Sequence, residues 1–192
     1  MKTGLGLYRK YRTLYSYLNL FRFGLRKVLV GFDVANIFIQ RVDKYSLQLI
    51  LRKYGAVIGK GCDIESGQIF HNCQNYSNLI IGNNCHIGKG CFFDLRDKVR
   101  ISDNVVISMD VTFLTHLDVG KSALTGTFPP SSEPIMVGYG VFIGANSSIL
   151  MGVSVGSKSF IAAGSVVKDT VLKNVLVGGV PAKEIRVLEE KQ

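Results

Sequence analysis

His116 stands where a periodic segment of the chain ends and a long aperiodic segment begins. The sequence around it reads T-F-L-T-H-L-D, and Asp118 to Met136 then contains two Gly and three Pro residues with no periodicity. Histidine is the commonest general base because its proton affinity lies near neutral pH. Long loops without secondary structure are often functional in compact folds. His116 is therefore a candidate general base at the root of a functional loop.

The elements that must position His116 follow a period of six residues. From Val137 to Leu172 the chain divides into VGYGVF, IGANSS, ILMGVS, VGSKSF, IAAGSV and VKDTVL. The first slot is always Val or Ile, and the fifth slot is small or Val. This period fits neither an ordinary helix nor a long alternating strand, and it is typical of a solenoid of short strands.

We predict a triangular prism in which three hexads make one coil and first-slot side chains point inward. Residues three hexads apart should then stack at the strand spacing of about 4.8 Å. The same phase begins at Ile58, and residues 70–80 break it, which predicts a loop or an irregular side there. The phase resumes at Ile81 and is kept from Phe113 to Val137, so we expect residues 118–135 to protrude as a loop between two coils.

The run from Ile81 to Arg186 resembles the hexapeptide-repeat O-acetyltransferases, above all those that act on sugars, capsule and exopolysaccharide. The hexads, the His before the loop and the tail G-V-P-A-K-E-I-R carry the resemblance. It implies an all-β solenoid, a left-handed parallel β-helix, which is an exception to the usual right-handed crossover. It also implies transfer of acetyl from acetyl-CoA to a sugar hydroxyl in surface polysaccharide biosynthesis, with His116 as general base and no metal.

The resemblance suggests three residues for binding of the acceptor. Family members carry an acceptor-lining Asn in x-Y-N-L-D-K-V, and this chain reads F-F-D-L-R-D-K-V, which places Asp94 there. The alternative for Asp94 is a solvated corner of a coil. Asp118 and Glu133 are candidates for orienting the imidazole or for binding acceptor hydroxyls.

The resemblance also suggests where coenzyme A binds. Ala145 and Ala163 match contact positions along the outside of the prism, where small residues let the pantetheine arm approach the backbone. They are three hexads apart and should lie on successive coils. Lys168 and Lys183 match positions near the phosphates, and Arg186 adds charge there. An ordinary solvated side chain is the alternative for each Lys.

Residues 1–60 carry 12 Lys and Arg against 2 Asp, a net charge of +10, whereas the whole chain carries +9. Apolar residues keep roughly helical spacing between Leu14 and Leu29, and again in Ser46 to Tyr54. Two readings stay open. The helices either cap the open end of the solenoid or contact an anionic membrane. The basic residues considered for lipid contact are Arg9, Lys10, Arg12, Arg22, Arg26 and Lys27.

The predicted organisation is a basic helical extension or cap (1–55), a β-helix catalytic domain (56–178) and a C-terminal tail (179–192). Neither a signal peptide nor a span long enough to cross a bilayer is visible in the sequence. We therefore expect a cytoplasmic protein, with the inner face of the membrane as the place of any lipid contact.

Other functions compete with sugar acetylation. The acceptor could instead be serine or an antibiotic, and the solenoid could be a non-catalytic scaffold. Left-handed β-helices also build three-His zinc sites, but the spacing of His71, His86 and His116 lacks that arrangement. No nucleic-acid-binding motif is legible. The expected partners are a sugar or glycan acceptor and two further copies of the chain in a homotrimer.

Overall fold

The computed structural model describes residues 2–189, which form three helices followed by a β-solenoid. The helices are α1 (Lys2–Val30), α2 (Phe32–Ile39) and α3 (Lys44–Lys53). Asp43 caps α3, because its Oδ1 accepts hydrogen bonds from the backbone N–H groups of Tyr45 and Ser46. The predicted fold class, a hexapeptide-repeat β-solenoid with an N-terminal helical extension, is confirmed.

The solenoid strands are two to six residues long, as expected for a chain that turns a corner in each hexad. In chain order they are β1 (Val57–Ile58), β2 (Asp63–Ile64), β3 (Ile69–His71), β4 (Leu79–Ile81), β5 (His86–Ile87), β6 (Phe92–Asp94), β7 (Val99–Ile101), β8 (Val106–Ile107), β9 (Thr112–Leu114), β10 (His116–Leu117), β11 (Ser131–Ser132), β12 (Ile135–Val137), β13 (Phe142–Ile143), β14 (Ser148–Leu150), β15 (Ser154–Val155), β16 (Phe160–Ile161), β17 (Val166–Val167), β18 (Val175–Gly179) and β19 (Ala182–Val187).

Three parallel sheets form the three faces of the prism. The first is β1-β4-β7-β12-β15, the second is β2-β5-β8-β13-β16-β18, and the third is β3-β6-β9-β14-β17. β19 returns antiparallel on β18 and closes the second sheet. Ser148 pairs with Val166, three hexads further along the chain, as predicted. Earlier coils are longer, because Asp63 pairs with His86, and His86 in turn with Val106.

First-slot side chains fill the prism and are at most 5% exposed. The phase also includes Phe70, which pairs with Phe93 and is 3% exposed. The prediction that the break begins at residue 70 was therefore wrong by two residues, since β3 extends to His71. The buried first-slot residues are Ile58, Ile64, Phe70, Ile81, Ile87, Phe93, Ile101, Ile107, Phe113, Val137, Ile143, Ile149, Val155, Ile161 and Val167.

Gly144 occupies a second slot where two coils approach each other closely. A Cβ atom built there would lie 2.5 Å from the backbone nitrogen of Ala163. Any side chain at this position would collide with the next coil. The small second-slot residues thus allow the coils to stack at the strand spacing.

The segment after His116 leaves the prism and returns to it. β10 and β11 pair antiparallel at its root, with His116 opposite Ser132. The residues between these strands are largely exposed. Val99 pairs with Ile135, which is six hexads further along the chain. A regular coil spans three hexads, so the insertion adds a whole number of hexads and preserves the phase, as expected.

Helix α3 packs on the first coil, α1 packs on α2 and α3, and α2 contacts the first coil through Asn36. Tyr76, in the irregular segment, is fully buried between the rings of Phe32 and Phe70. The Asn36 amide donates to the carbonyl of Phe70 at 2.6 Å. Lys44 of α3 forms ion pairs with two carboxylates of the first coil. Within residues 2–189, none of the helices has both the length and the hydropathy needed to cross a bilayer.

Candidate active site

The third sheet positions the candidate site through a column of stacked aromatic rings. The rings of Phe93 and Phe113 lie 5.0 Å apart and 9° from parallel, and those of Phe70 and Phe93 lie 5.6 Å apart. The chain turns a corner just after each of these residues. Because the strands are in register, with His71 opposite Asp94, the residues at these corners gather on one edge of the prism.

His116 and Asp94 meet on that edge. Nδ1 of His116 lies 2.6 Å from Oδ2 of Asp94. The Asp94 side chain is completely buried, whereas the His116 side chain is 21% exposed. The imidazole therefore has a buried carboxylate behind it and solvent access in front of it. Asp94 is not the solvated corner that the sequence left open as an alternative.

Further hydrogen bonds hold the Asp94 carboxylate in place. Its Oδ2 accepts from the backbone N–H and the hydroxyl of Thr115, at 2.9 and 2.8 Å. Its Oδ1 accepts from the Asn72 amide at 3.0 Å. Burial by itself raises the pKa of Asp94, but the hydrogen bonds from His116, Asn72 and Thr115 outweigh it and lower the pKa below its ordinary value. Asp94 is thus ionised at neutral pH.

An ionised Asp94 determines which nitrogen of His116 carries the proton. The carboxylate can only accept a hydrogen bond, so Nδ1 must donate, and Nε2 is left with a lone pair. The Asn72 amide lies 3.4 Å from Nε2, which is long for a hydrogen bond. The arrangement can accept a proton at Nε2 and hold the resulting imidazolium against a negative charge.

A cleft of about 650 Å³ opens beside this edge. Asp33 and Asn36 of α2 line one side together with Gln40, which follows the helix, and His71 and Asn72 line the other. Asn72 lines the cleft and also contacts Asp94, so the cleft adjoins the group around His116. The cleft offers a mixture of carboxylate, amide and imidazole groups to a ligand.

The two other residues predicted near the acceptor lie at the loop root without contacting the imidazole in the described structure. The Asp118 carboxylate is 3.6 Å from the guanidinium of Arg96, which also lines the cleft. The backbone N–H of Glu133 donates to the carbonyl of Thr115. The side chain of Glu133 lies close to Gly152. The carboxylate that contacts the imidazole is that of Asp94.

The residues predicted for coenzyme binding lie along one corner and at the C-terminal end of the solenoid. Ala145 and Ala163 occupy equivalent places on successive coils, and the carbonyl of Ala145 accepts from the N–H of Gly164. Ala163 is exposed. Lys168 pairs with Asp169, and Asp169 lines a small cleft together with Lys183. Arg186 is exposed on β19, opposite Leu176.

Sequence reasoning missed Asn72 and Thr115. Asn72 falls in the segment that breaks the hexad phase, so no periodicity indicates its position. It adopts a positive φ of 53°, which Asn tolerates better than most residues. Thr115 occupies the third slot of its hexad, for which the repeat predicts no inward side chain, so no signal in the sequence indicated that it would be buried. Within residues 2–189, no group of three or more His, Cys, Asp or Glu side chains could hold a metal ion.

The sequence of this chain is similar to those of several named acetyltransferases. The family described as "Hexapeptide repeat of succinyl-transferase" matches residues 78–112 and 134–168. The chain is 34% identical to the galactoside O-acetyltransferase of Escherichia coli over 121 residues, 57% of each protein. It is 45% identical to the 2,3,4,5-tetrahydropyridine-2,6-dicarboxylate N-acetyltransferase of Clostridium perfringens over 76 residues, 40% of this chain. The chain thus spans somewhat over half of the first relative and about a third of the second.

Solved structures agree with the fold. A maltose O-acetyltransferase from Clostridium difficile superposes with a TM-score of 0.64 at 26% identity, covering 78% of this chain and 79% of that one. A galactoside acetyltransferase in complex with coenzyme A gives 0.71 at 24% identity, covering 92% and 80%, and this likeness shows the fold alone. The repeats, the parallel prism and these matches together show that the chain has the sequence repeat and the left-handed β-helix fold of the hexapeptide-repeat acetyltransferases.

Proposed function

We propose that this protein transfers an acetyl group from acetyl-CoA to a hydroxyl of a sugar, with His116 as the general base. The observation that carries the proposal is the contact between Nδ1 of His116 and the buried, ionised Asp94, which leaves Nε2 free to take a proton. Sugar O-acetyltransferases among the related proteins support the same reaction.

In the proposed reaction, Nε2 of His116 accepts the proton of the acceptor hydroxyl as its oxygen attacks the thioester carbonyl. A C–O bond forms, and the carbonyl oxygen carries the negative charge of a tetrahedral intermediate. Collapse of that intermediate breaks the C–S bond, and His116 returns the proton to the leaving sulfur. Asp94 acts as a positioning residue, since it fixes the tautomer and stabilises the imidazolium. This role replaces the acceptor contact that the sequence suggested for Asp94.

The corner of Ala145 and Ala163 fits the pantetheine arm of the coenzyme. Both residues are small, and Ala163 is exposed, so a ligand can approach the backbone along the corner. A neighbour was solved in complex with acetyl coenzyme A and another with coenzyme A. Lys168, Lys183 and Arg186 supply positive charge for the phosphates at the end of that groove.

The cleft beside His116 is the proposed acceptor site. Its carboxylate and amide groups suit an acceptor rich in hydroxyls, because they can both donate and accept hydrogen bonds. Asp118 and Glu133, at the loop root, are proposed to contribute from the other side. Within this function we place the protein in surface polysaccharide biosynthesis, on the cytoplasmic side of the membrane.

A homotrimer is part of the proposal. The outer faces of the prism expose the apolar side chains of Val106, Met136, Tyr139 and Phe160, which are 38–48% exposed. Burying them between three prisms forms a closed cyclic assembly. Light scattering should therefore give about three times the chain mass of 21.1 kDa. A fully active monomer would contradict the trimer.

Measurement of coenzyme release over a panel of acceptors tests the function. The panel contains free sugars, nucleotide sugars, serine, chloramphenicol and an amine acceptor. We expect turnover with a sugar hydroxyl and much slower release without an acceptor. Turnover confined to serine or chloramphenicol would overturn the sugar assignment, and turnover confined to the amine would overturn O-acetylation.

A further inference from the structure

Helix α1 presents an apolar face that no part of the described structure covers. Its members recur at alternating intervals of three and four residues, so they lie on one side of the helix. Their side chains are 44–82% exposed. This α1 stripe consists of Tyr11, Leu14, Leu18, Phe21, Leu25 and Val28.

The opposite side of α1 packs against the rest of the protein and thereby holds the stripe towards the solvent. Ser16, Asn19 and Phe23 are at most 6% exposed. The Asn19 amide donates to the hydroxyl of Ser46 in α3 at 3.0 Å, and the ring of Phe23 packs against Tyr54. The helix cannot turn its stripe inward without breaking these contacts. A contiguous exposed apolar surface of this kind marks an interaction site.

The charge of α1 identifies the partner. Lys2–Val30 contains seven Lys and Arg residues and no Asp or Glu. A second copy of the helix would bring like charges together, and it has no carboxylate with which to pair across the contact. An anionic lipid surface complements the same charges. Lys10 and Arg22 lie three or four positions from stripe residues, and therefore along the edges of the stripe.

The structure also shows which cations are engaged elsewhere. The guanidinium of Arg12 lies 3.7 Å from the ring centre of Tyr45, and that of Arg26 lies 4.2 Å from that of Phe38. The ammonium of Lys27 lies 4.9 Å from the ring centre of Tyr54. These three stabilise the helix packing. Three of the six basic residues considered for lipid contact are therefore engaged within the protein. Apolar insertion must then contribute more to lipid contact than the sequence alone indicates.

We propose that α1 lies flat on an anionic membrane, with its stripe inserted at the boundary between headgroups and acyl chains. Amphipathic helices with this division of apolar and basic residues bind in the plane of the interface without crossing the bilayer. The proposal is independent of the acetyl-transfer reaction, because it uses none of the residues around His116.

Vesicle flotation tests the proposal on the full-length protein. The probes are vesicles of phosphatidylcholine alone and vesicles with about one-third phosphatidylglycerol. The variant Phe21→Ser/Leu25→Ser removes the centre of the stripe, and Val57→Ser/Leu172→Ser is its matched control, since these residues are 59% and 68% exposed on the solenoid. We expect the wild type and the control to float with the anionic vesicles, and the floated amount of the stripe variant to be at least tenfold smaller. The melting temperatures of both variants should equal that of the wild type.

The salt concentration separates the electrostatic contribution to vesicle binding from the apolar contribution. Raising the salt from about 0.1 M to about 1 M shortens the screening length from about 10 Å to about 3 Å. We expect Lys10→Ser/Arg22→Ser to lose part of the wild-type binding at low salt, and the wild type to keep part of its binding at high salt. Equal flotation of the wild type and the stripe variant would overturn the proposal. The proposal would also be overturned if the wild type bound neither kind of vesicle and the stripe variant had a smaller oligomeric state than the wild type in ultracentrifugation.

Discussion

Nδ1 of His116 lies 2.6 Å from Oδ2 of Asp94, although the two residues belong to different coils of the solenoid. The contact exists because β6 and β9 are parallel neighbours and both turn the same corner of the prism. Thr115, next to His116, holds the same carboxylate oxygen through its backbone N–H and its hydroxyl. The proposed base and its positioning residue are therefore fixed by the stacking of the coils.

Replacing Asp94 tests its role as a positioning residue. Asp94→Leu removes the acceptor for Nδ1, and we expect kcat to fall by about 10²-fold or more with little change in KM for acetyl-CoA. Asp94→Asn keeps an oxygen at the same place, because the N–H of Thr115 orients the amide. Its kcat should fall only about tenfold, since only the negative charge is missing. Asp110→Asn, at an exposed corner, is the control. Equal activity of the Leu and Asn variants would contradict the positioning role.

The ionisation of Asp94 predicts a pH dependence of stability. Its pKa is lowered in the folded protein, because hydrogen bonds from His116, Asn72 and Thr115 outweigh the opposing effect of burial. The stability that these bonds add is complete above the unfolded pKa of about 3.9 and is lost as the pH falls through the lower folded value. Urea unfolding of the wild type and Asp94→Asn from pH 7 to pH 3 measures this difference. Below about pH 4, the free energy of unfolding of the wild type should fall relative to that of Asp94→Asn. A difference that stays constant would mean that Asp94 is not ionised in the fold.

The proposed coenzyme groove predicts a selective effect on KM for acetyl-CoA. Ala163→Trp places a large side chain on the exposed corner, and we expect KM for acetyl-CoA to rise about tenfold, the equivalent of about 1.4 kcal/mol. The melting temperature should change little, because Ala163 is exposed. Val57→Trp, on an exposed position of the first coil, is the control. An unchanged KM in Ala163→Trp would place the coenzyme elsewhere.

The aromatic column predicts where stability resides. Phe93 is 1% exposed and stacks on Phe113 and Phe70. We expect Phe93→Ala to lower the free energy of unfolding by about 3–5 kcal/mol. Phe128→Ala, in the loop where the ring is 47% exposed, should cost much less. Denaturant unfolding compares the two, and similar losses would show that the column has no special role in the core.

Much of the fold follows from the hexad phase, because each first-slot residue must enter the prism. The insertion after His116 was also predictable, since the chain from Phe113 to Val137 keeps the phase. The site was only partly predictable. The contact between His116 and Asp94 depends on coils longer than three hexads, since Phe92 pairs with Thr112, and a constant repeat of three hexads would not place these two together. Asn72 comes from an irregular segment whose position only the folded chain determines.

The orientation of the N-terminal helix was also beyond sequence reasoning. Leu14, Leu18, Phe21 and Leu25 have helical spacing, which is equally typical of a face packed on the core. Their exposure follows from the opposite face, where Phe23 packs against Tyr54. Because the covered side contains the polar residues Ser16 and Asn19, the sequence does not reveal that this side is the buried one.

The central claim is that Nε2 of His116 takes the acceptor proton, and His116→Ala tests it most directly. Turnover, coenzyme affinity and melting temperature should be measured on one preparation, with His86→Ala as the control because His86 lies on another face, beside Asp63. We predict that kcat falls by about 10²–10⁴-fold, while coenzyme affinity persists and stability changes by about 1 kcal/mol or less. Turnover within tenfold of the wild type, or an unfolded variant, would contradict this account.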